Sequence, residues 1–279
     1  MANPQFIFYL MATKKCNGSC LFCDIKKQFL NQPEPEPDLD KLRRTLTGLF
    51  GDNLISKISI TGGEPLLNPD RTNKLLNTIF SVKPNAKVDI TVNGSLLGNL
   101  NLLDHADRLS TIHVSRHHFD QEMNDRVFGL KTATLDKLKK YAGKFPGVIS
   151  LNCCLVPGYI DSASLVEKYL DWAATIRGLK SAGFISLMNK NEFCATAVVE
   201  EKEILDWIDR NPDNFQHDYL YDTDICECRV FRRVPSNFRP MTVFWWKVNK
   251  LHLPYCRQLM FTEDSRLTVN FNEIAEIMV

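Results

Sequence analysis

Hydrophobic positions along this chain switch between a period of two and a period of 3.6 in regular succession. Residues 6–11 form an apolar, aromatic run and predict a strand. Leu39, Leu42, Leu46 and Leu49 recur at helical spacing over 38–50, with Asp38 or Asp40 as the cap. Residues 57–61 alternate and run into Gly62-Gly63, 71–82 read as a helix stopped by Pro84, and 87–92 are a third strand closed by Asn93-Gly94. A short helix near 100–109 leads to a strand at 111–115, and helix 134–145 precedes strand 148–156. Helix 162–177, capped by Asp161 or Ser162, strand 179–188 and helix 200–210 complete the succession. Six strand–helix repeats imply a parallel sheet with right-handed crossovers, three quarters of an eight-unit barrel. Chemistry in such barrels sits at the C-terminal ends of the strands. The fold class is therefore α/β, a partial (β/α)6 barrel over residues 1–212.

From about Asn214 the alternation breaks. Cys226-Glu-Cys228, a basic stretch over 229–239, an aromatic strand at 242–248, Cys256 and a hairpin at Asp264-Ser265 make a different unit, an α+β domain over 213–279. A piece that small is hard to hold by burial alone, and metal ligation would supply the missing stability. The proline-rich 33–37 segment is too stiff and charged for an element and reads as a loop.

Composition narrows the class further. A chain of 279 residues with 44% hydrophobic content can bury one large core. Net charge is +1, so nothing in the overall balance asks for nucleic acid or an anionic membrane surface. No apolar run reaches the length of a membrane span, and the N-terminus lacks the basic and apolar regions of a signal peptide. Nine cysteines in that setting point to metal or catalytic use in a reducing compartment, hence a cytoplasmic protein.

The most specific stretch is 13–24, where Cys16, Cys20 and Cys23 follow the first strand in a loop made pliable by Gly18. Three thiolates so close can converge on one iron–sulfur cluster and leave one iron open to a small chelating molecule. A structural zinc would want a fourth Cys or His nearby, and no His precedes position 105. Disulfides fit poorly with an odd cysteine count.

Cys16-x-x-x-Cys20-x-Phe22-Cys23 resembles the signature of the radical S-adenosylmethionine (radical SAM) enzymes, including the aromatic Phe22 before the third cysteine. The resemblance implies a [4Fe–4S] cluster on Cys16, Cys20 and Cys23. With an electron from a flavodoxin- or ferredoxin-type donor it cleaves S-adenosylmethionine to a 5′-deoxyadenosyl radical, which takes a hydrogen atom from substrate. Thr61, Gly62, Gly63 and Glu64 then correspond to the segment that binds the cofactor's amino group. Thr91 and Asn93, Ser115 and Asn152 are further cofactor positions by the same resemblance.

Other strand-end residues carry candidate chemistry of their own. His113, Ser115 and His117 share a face if strand alternation continues, with Arg116 between them and His118 next. Three of the chain's six histidines within six residues suggest a substrate or cofactor role. Cys154, on a face with Asn152, is a candidate hydrogen donor to a substrate radical, against the plainer reading of a small buried hydrophobe.

The C-terminal pattern around Cys256, Leu259, Thr262, Asp264 and Leu267 is similar to the hairpin of the molybdenum-cofactor GTP 3′,8-cyclases. That group carries an auxiliary iron–sulfur ("twitch") domain, which implies a second [4Fe–4S] cluster on Cys226, Cys228 and Cys256, with Cys194 a candidate fourth ligand. Departures are visible: Cys226 and Cys228 are one residue apart, and Gln258 stands where the cyclases carry Arg. These features together suggest an oxidoreductase or epimerase acting on a polar small molecule or short peptide. A GTP-type cyclisation and a non-catalytic zinc-stabilised scaffold are the alternatives.

Overall fold

The computed structural model describes residues 6–23, 30–187, 191–222, 226–234, 240–248 and 258–268. Six parallel strands carry the barrel: β1 (Phe6–Thr13), β2 (Ile55–Gly62), β3 (Val88–Val92), β4 (Thr111–Ser115), β5 (Ile149–Cys154) and β6 (Ser181–Ile185). Between them run α1 (Leu39–Gly51), α2 (Pro69–Val82), α3 (Gln121–Phe128), α4 (Leu135–Lys144) and α5 (Ala163–Ala174), with α6 (Glu192–Thr196) and α7 (Glu201–Asp209) after β6. Asp38 caps α1 by accepting from the Lys41 amide at 2.8 Å. Asn68 caps α2, whose first residue is Pro69, preset for a helix start. The helix expected near 100–109 is instead two 3₁₀ turns, Leu97–Leu102 and Ala106–Arg108. Its asparagines and Gly98 are weak helix formers, and neither turn has a side-chain cap.

The strands divide their faces cleanly. Ile58, Ile60, Val88, Ile90, Val92, Ile112, Val114, Leu151 and Phe184 are buried against the helices and join one continuous core. The alternate residues, among them Ser59, Asp89, Thr91, His113, Ser115, Ser150, Asn152 and Ser181, face the lumen. Across β2–β5 this face is mostly polar, while β1 and β6 add Tyr9, Met11 and Ile185 to it. At its base the Ser150 and Ser181 hydroxyls are 2.7 Å apart.

Beyond residue 212 come β7 (Phe215–Asp222), β8 (Cys226–Arg233), β9 (Met241–Val248), β10 (Gln258–Phe261) and β11 (Leu267–Thr268). They extend the barrel sheet at both edges in the order β11-β10-β1-β2-β3-β4-β5-β6-β9-β8-β7. Strand β9 pairs parallel with β6, and β10 pairs parallel with β1, so eight parallel strands stand side by side in an open sheet. Gly183 makes the β6–β9 junction possible, since a Cβ there would overlap the Phe244 ring. On the helix side Trp245 is fully buried against Phe184 and donates from Nε1 to Glu201 on α7 at 3.0 Å. Of the stretch expected as merely basic, 229–233 belong to strand β8, and 235–239 lie outside the described residues. Arg229 and Arg233 of β8 pair with Asp209 of α7 and Asp171 of α5. Among the described residues no helix is long and apolar enough to cross a membrane.

Candidate active site

The cysteine loop leaves β1 at Thr13, and the surrounding strand ends clamp it from several sides. Glu34, from the proline-rich segment, accepts from the Thr13 hydroxyl and the Lys14 amide, both at 2.9 Å. The buried Arg71 of α2 donates to the carbonyls of Ala12 (2.6 Å), Pro35 (2.6 Å) and Glu263 (3.0 Å). One guanidinium thereby ties β1, the proline segment and the β10–β11 hairpin together. Lys14 adds an ion pair to Glu263 at 2.6 Å.

At the end of β2 the Gly63 amide donates to the Thr13 carbonyl at 2.6 Å and the Glu64 amide to that of Lys15 at 2.8 Å. A Cβ on Gly62 or Gly63 would overlap those same carbonyl oxygens, and Gly62 has φ +127°. The glycine pair therefore serves the close approach of the chain to itself, under the cysteine loop. Thr61 precedes the pair on the lumen side of β2, beside Met11. Glu64, expected to accept from a ligand, is 0% exposed and accepts the amides of Leu66 (3.0 Å) and Asn93 (2.6 Å). Burial pushes its carboxyl up to about 7 against the lowering effect of those two bonds. It joins the ends of β2 and β3.

Asn93 links β3 to the loop. Its Nδ2 donates to Asn17 Oδ1 at 2.8 Å and lies 3.9 Å from Cys16 Sγ, while its Oδ1 accepts from the amide and hydroxyl of Ser95. Cys16 Sγ also accepts the Gly18 amide at 3.3 Å. Burial raises the Cys16 and Cys20 thiols above the ordinary range, and charge on neighbouring thiols raises them further; Cys23 and Cys154 are among those acting on Cys20. Clustered thiols of this kind ionise together only when a cationic group compensates them. Three soft donors, with amide N–H groups aimed at one sulfur, fit an iron–sulfur cluster. No disulfide links the described cysteines. Among the described residues no three His, Cys, Asp or Glu side chains are grouped for a single metal ion.

His117 is placed differently from the expectation. Strand β4 ends at Ser115; the Arg116 amide still donates to the Asn152 carbonyl at 2.8 Å, and beyond it period-two alternation no longer governs residues 117–118. The His117 ring is 3% exposed, stacked on Phe128 at 4.7 Å and edge-on to Phe22 of the cysteine loop at 5.1 Å. Its Nδ1 accepts the Cys154 amide at 3.0 Å, and burial together with Arg116 lowers its pKa to about 3. It is a neutral wedge between loop and barrel.

His118 and Arg116 are also turned away from the lumen. His118 Nδ1 accepts the Asp120 amide at 2.9 Å, and its ring stacks on Phe119. Arg116 donates to the carbonyls of His118, Ala133 and Phe119 and to Gln121, and lies 4.9 Å over the Trp172 ring. The buried Asn124 of α3 fixes this turn by accepting the amides of His117 (2.7 Å) and His118 (3.2 Å).

His113 keeps its expected place in the lumen, between Asn152 at Nδ1 (3.2 Å) and Asp89 at Nε2 (3.3 Å), with Lys57 paired to the same Asp89 oxygen. Thr91 and Ser115 lie one register step away, opposite His113 and Asn152 respectively. Asp89 and Lys57 are functional candidates that the sequence motifs do not single out. The signal was present, an acidic residue on the same face of an alternating strand as Thr91 and Asn93.

The cysteines expected at a second cluster separate into two places. Cys194 on α6 lies against the cysteine loop, 3.6 Å from the Phe22 carbonyl oxygen, on a helix whose cap Asn191 reaches the Leu21 carbonyl. Cys228 is on β8, opposite Trp246. Cys256 and the Cys226 side chain, expected beside it, lie outside the described residues.

Comparison with known proteins agrees with this arrangement. GTP 3′,8-cyclase of Staphylococcus saprophyticus is 27% identical over 224 residues, covering 76% of this chain and 64% of that protein. Bovine molybdenum cofactor biosynthesis protein 1 is 23% identical over 270 residues, covering 92% and 40% respectively. The chain thus spans less than two thirds of the length of these relatives. Among solved structures, Streptococcus suis SuiB bound to its precursor peptide SuiA shares the fold at TM-score 0.67 and 14% identity, over 100% of this chain and 63% of SuiB. Residues 10–167 match the model of the Radical SAM superfamily, and the chain belongs to that superfamily, whose members use a [4Fe–4S] cluster and S-adenosylmethionine.

Proposed function

We propose that this radical SAM enzyme abstracts a hydrogen atom from a polar small molecule or short peptide held in the lumen, leading to dehydrogenation or epimerisation. When bound, the cluster and S-adenosylmethionine supply reductive cleavage and a 5′-deoxyadenosyl radical. The chain's own residues provide the setting. Cys16, Cys20 and Cys23 would hold the cluster, with Asn93 and Gly18 directed at Cys16. Phe22, Thr61, Gly62, Gly63, Glu64, Thr91, Asn93, Ser115 and Asn152 are the proposed cofactor positions. For Glu64 the role is holding the β2 and β3 ends that form the cofactor shelf. Of the strand-four residues, His113 faces the substrate; Cys154, whose amide bonds His117, remains a candidate hydrogen donor.

The observation that carries the substrate reading is the lumen itself, lined by Ser59, Thr91, Ser115, Ser150, Asn152 and Ser181. Among the described residues of β1–β6, Lys57 is the lumen-facing cation, and it is paired with Asp89. A nucleoside triphosphate needs several unpaired cations; among the described residues Arg116, Arg229 and Arg233 are turned to the helical side, and Arg232, on the other face of β8, is exposed. The second reading, a cyclisation of GTP, is supported by the names of the relatives. A second cluster on Cys226, Cys228 and Cys256, in a C-terminal unit beginning near residue 213, belongs to either reading. Reconstituted protein with dithionite and S-adenosylmethionine should release more 5′-deoxyadenosine with members of a panel of polyols, amino sugars and serine- or threonine-containing peptides. Stimulation by GTP alone, with a cyclised nucleotide product, would favour the second reading.

A further inference from the structure

Three lumen side chains form a chain of contacts across β2, β3 and β4, and the imidazole at its end differs from His117 and His118. His117 Nδ1 and His118 Nδ1 each accept a fixed backbone amide, so neither nitrogen is open to a passing proton. His113 has a carboxylate on one side and a side-chain amide on the other. Asp89 is buried, and although burial opposes its ionisation, His113 and Lys57 together hold its carboxyl below the usual range. An ionised carboxylate only accepts, so the Nε2 facing it must carry the hydrogen. A ring with its single proton on Nε2 has its lone pair at Nδ1, on the side of Asn152, whose Oδ1 is 3.2 Å away. In the structure the Asn152 atom facing Nδ1 is Oδ1, placed to accept from an N–H there; turning the amide over brings its NH2 round to donate to the lone pair, so the amide can meet that nitrogen in either state.

We propose that His113 is the proton acceptor of the lumen, taking a proton at Nδ1 from an O–H or N–H of the bound substrate, with Asp89 and Lys57 as positioning residues that fix its tautomer. This rests on the proposed lumen-bound substrate and names its class, an alcohol or amine whose polar hydrogen lies near the abstracted one. The step moves one proton and no electrons. The substrate heteroatom loses H⁺, the ring becomes an imidazolium, and Asp89 compensates the new charge across Nε2. Groups facing the ring are Asp89 from β3, Asn152 from β5 and, through Asp89, Lys57 from β2.

The tautomer can be read without any substrate. In reconstituted enzyme labelled with ¹⁵N-histidine, the His113 signals (assigned by their loss in His113→Gln) should show a protonated Nε2 and a pyridine-like Nδ1. Asp89→Asn should move the tautomer ratio roughly tenfold or more, the size expected for losing a hydrogen bond to a charged group. With any panel alcohol or amine that stimulates 5′-deoxyadenosine, the ratio of product to 5′-deoxyadenosine should fall on the order of a hundredfold in His113→Gln. A wild-type ring protonated at Nδ1 alone would overturn the proposal, as would a product ratio unchanged in both variants. Wild-type enzyme that carries its cluster yet yields no 5′-deoxyadenosine would instead count against the reading of function; if no panel compound is turned over, the tautomer decides by itself.

Discussion

Replacing His117 by alanine removes the wedge between the cysteine loop and the barrel. The geometry sets three losses. The Cys154 amide loses its acceptor, which costs about 1–3 kcal/mol for a buried donor. The ring contacts with Phe128 and Phe22 disappear, and a cavity is left where a fully buried ring stood; large-to-small aromatic changes in cores cost roughly 3–5 kcal/mol in all. Phe22 loses its support, so the loop carrying Cys20 and Cys23 loosens as well. Urea denaturation at pH 7.5 should therefore show about 3–5 kcal/mol less stability, and 5′-deoxyadenosine and product should fall together. A pH signature accompanies this. The folded-state value of His117 is lowered from 6.5 to about 3, so its contribution is fully present above pH 6.5 and is lost as pH falls toward 3. The slope is roughly 1.4 kcal/mol per pH unit across that window. His117→Phe, which keeps the ring packing, should abolish this slope while losing less stability. If the alanine variant instead keeps wild-type stability and cleaves S-adenosylmethionine without making product, the ring faces substrate and the wedge reading is wrong.

Glu64 should act in the opposite sense. Its carboxyl is raised from 4.5 to about 7 by burial, so its stabilisation is complete below pH 4.5 and is lost as pH rises through 7, roughly 3 kcal/mol in total. Glu64→Gln should flatten the stability profile between pH 5 and 7.5, in protein free of S-adenosylmethionine; an unchanged slope would show that another group titrates there. Gly63→Ala should force the Lys15 carbonyl away and break the amide bonds of Gly63 and Glu64, costing about 1–3 kcal/mol. Iron content after reconstitution should drop with it, and a variant with full iron and unchanged melting would show that the loop tolerates the shift.

The barrel was legible because in β2–β5 the helix-facing residues are apolar while the lumen residues are mostly polar, as in Ile58-Ser59-Ile60 and Val88-Asp89-Ile90. Helix α3 escapes the periodicity because its buried face includes Asn124 and Asp125, polar residues that are buried to hold a turn and a loop. Strand β8 reads as basic because Arg229 and Arg233 are on its helix side, where Asp209 and Asp171 await them; only tertiary pairing explains that placement. The cysteine loop was legible from spacing alone. The strand-four cluster was not, because alternation does not extend two residues past the end of β4. Extending it there assigns His117 to substrate and leaves Asp89, which does face the lumen, unnoticed.

The most direct test of the account is the cysteine loop itself. Protein with Cys16, Cys20 and Cys23 all changed to alanine, reconstituted anaerobically with iron and sulfide, should bind S-adenosylmethionine poorly and form no 5′-deoxyadenosine under dithionite. The wild type, treated identically, should be brown and should form it. Undiminished cleavage in the triple variant, or a colourless wild type that holds zinc in place of iron, would contradict the central claim.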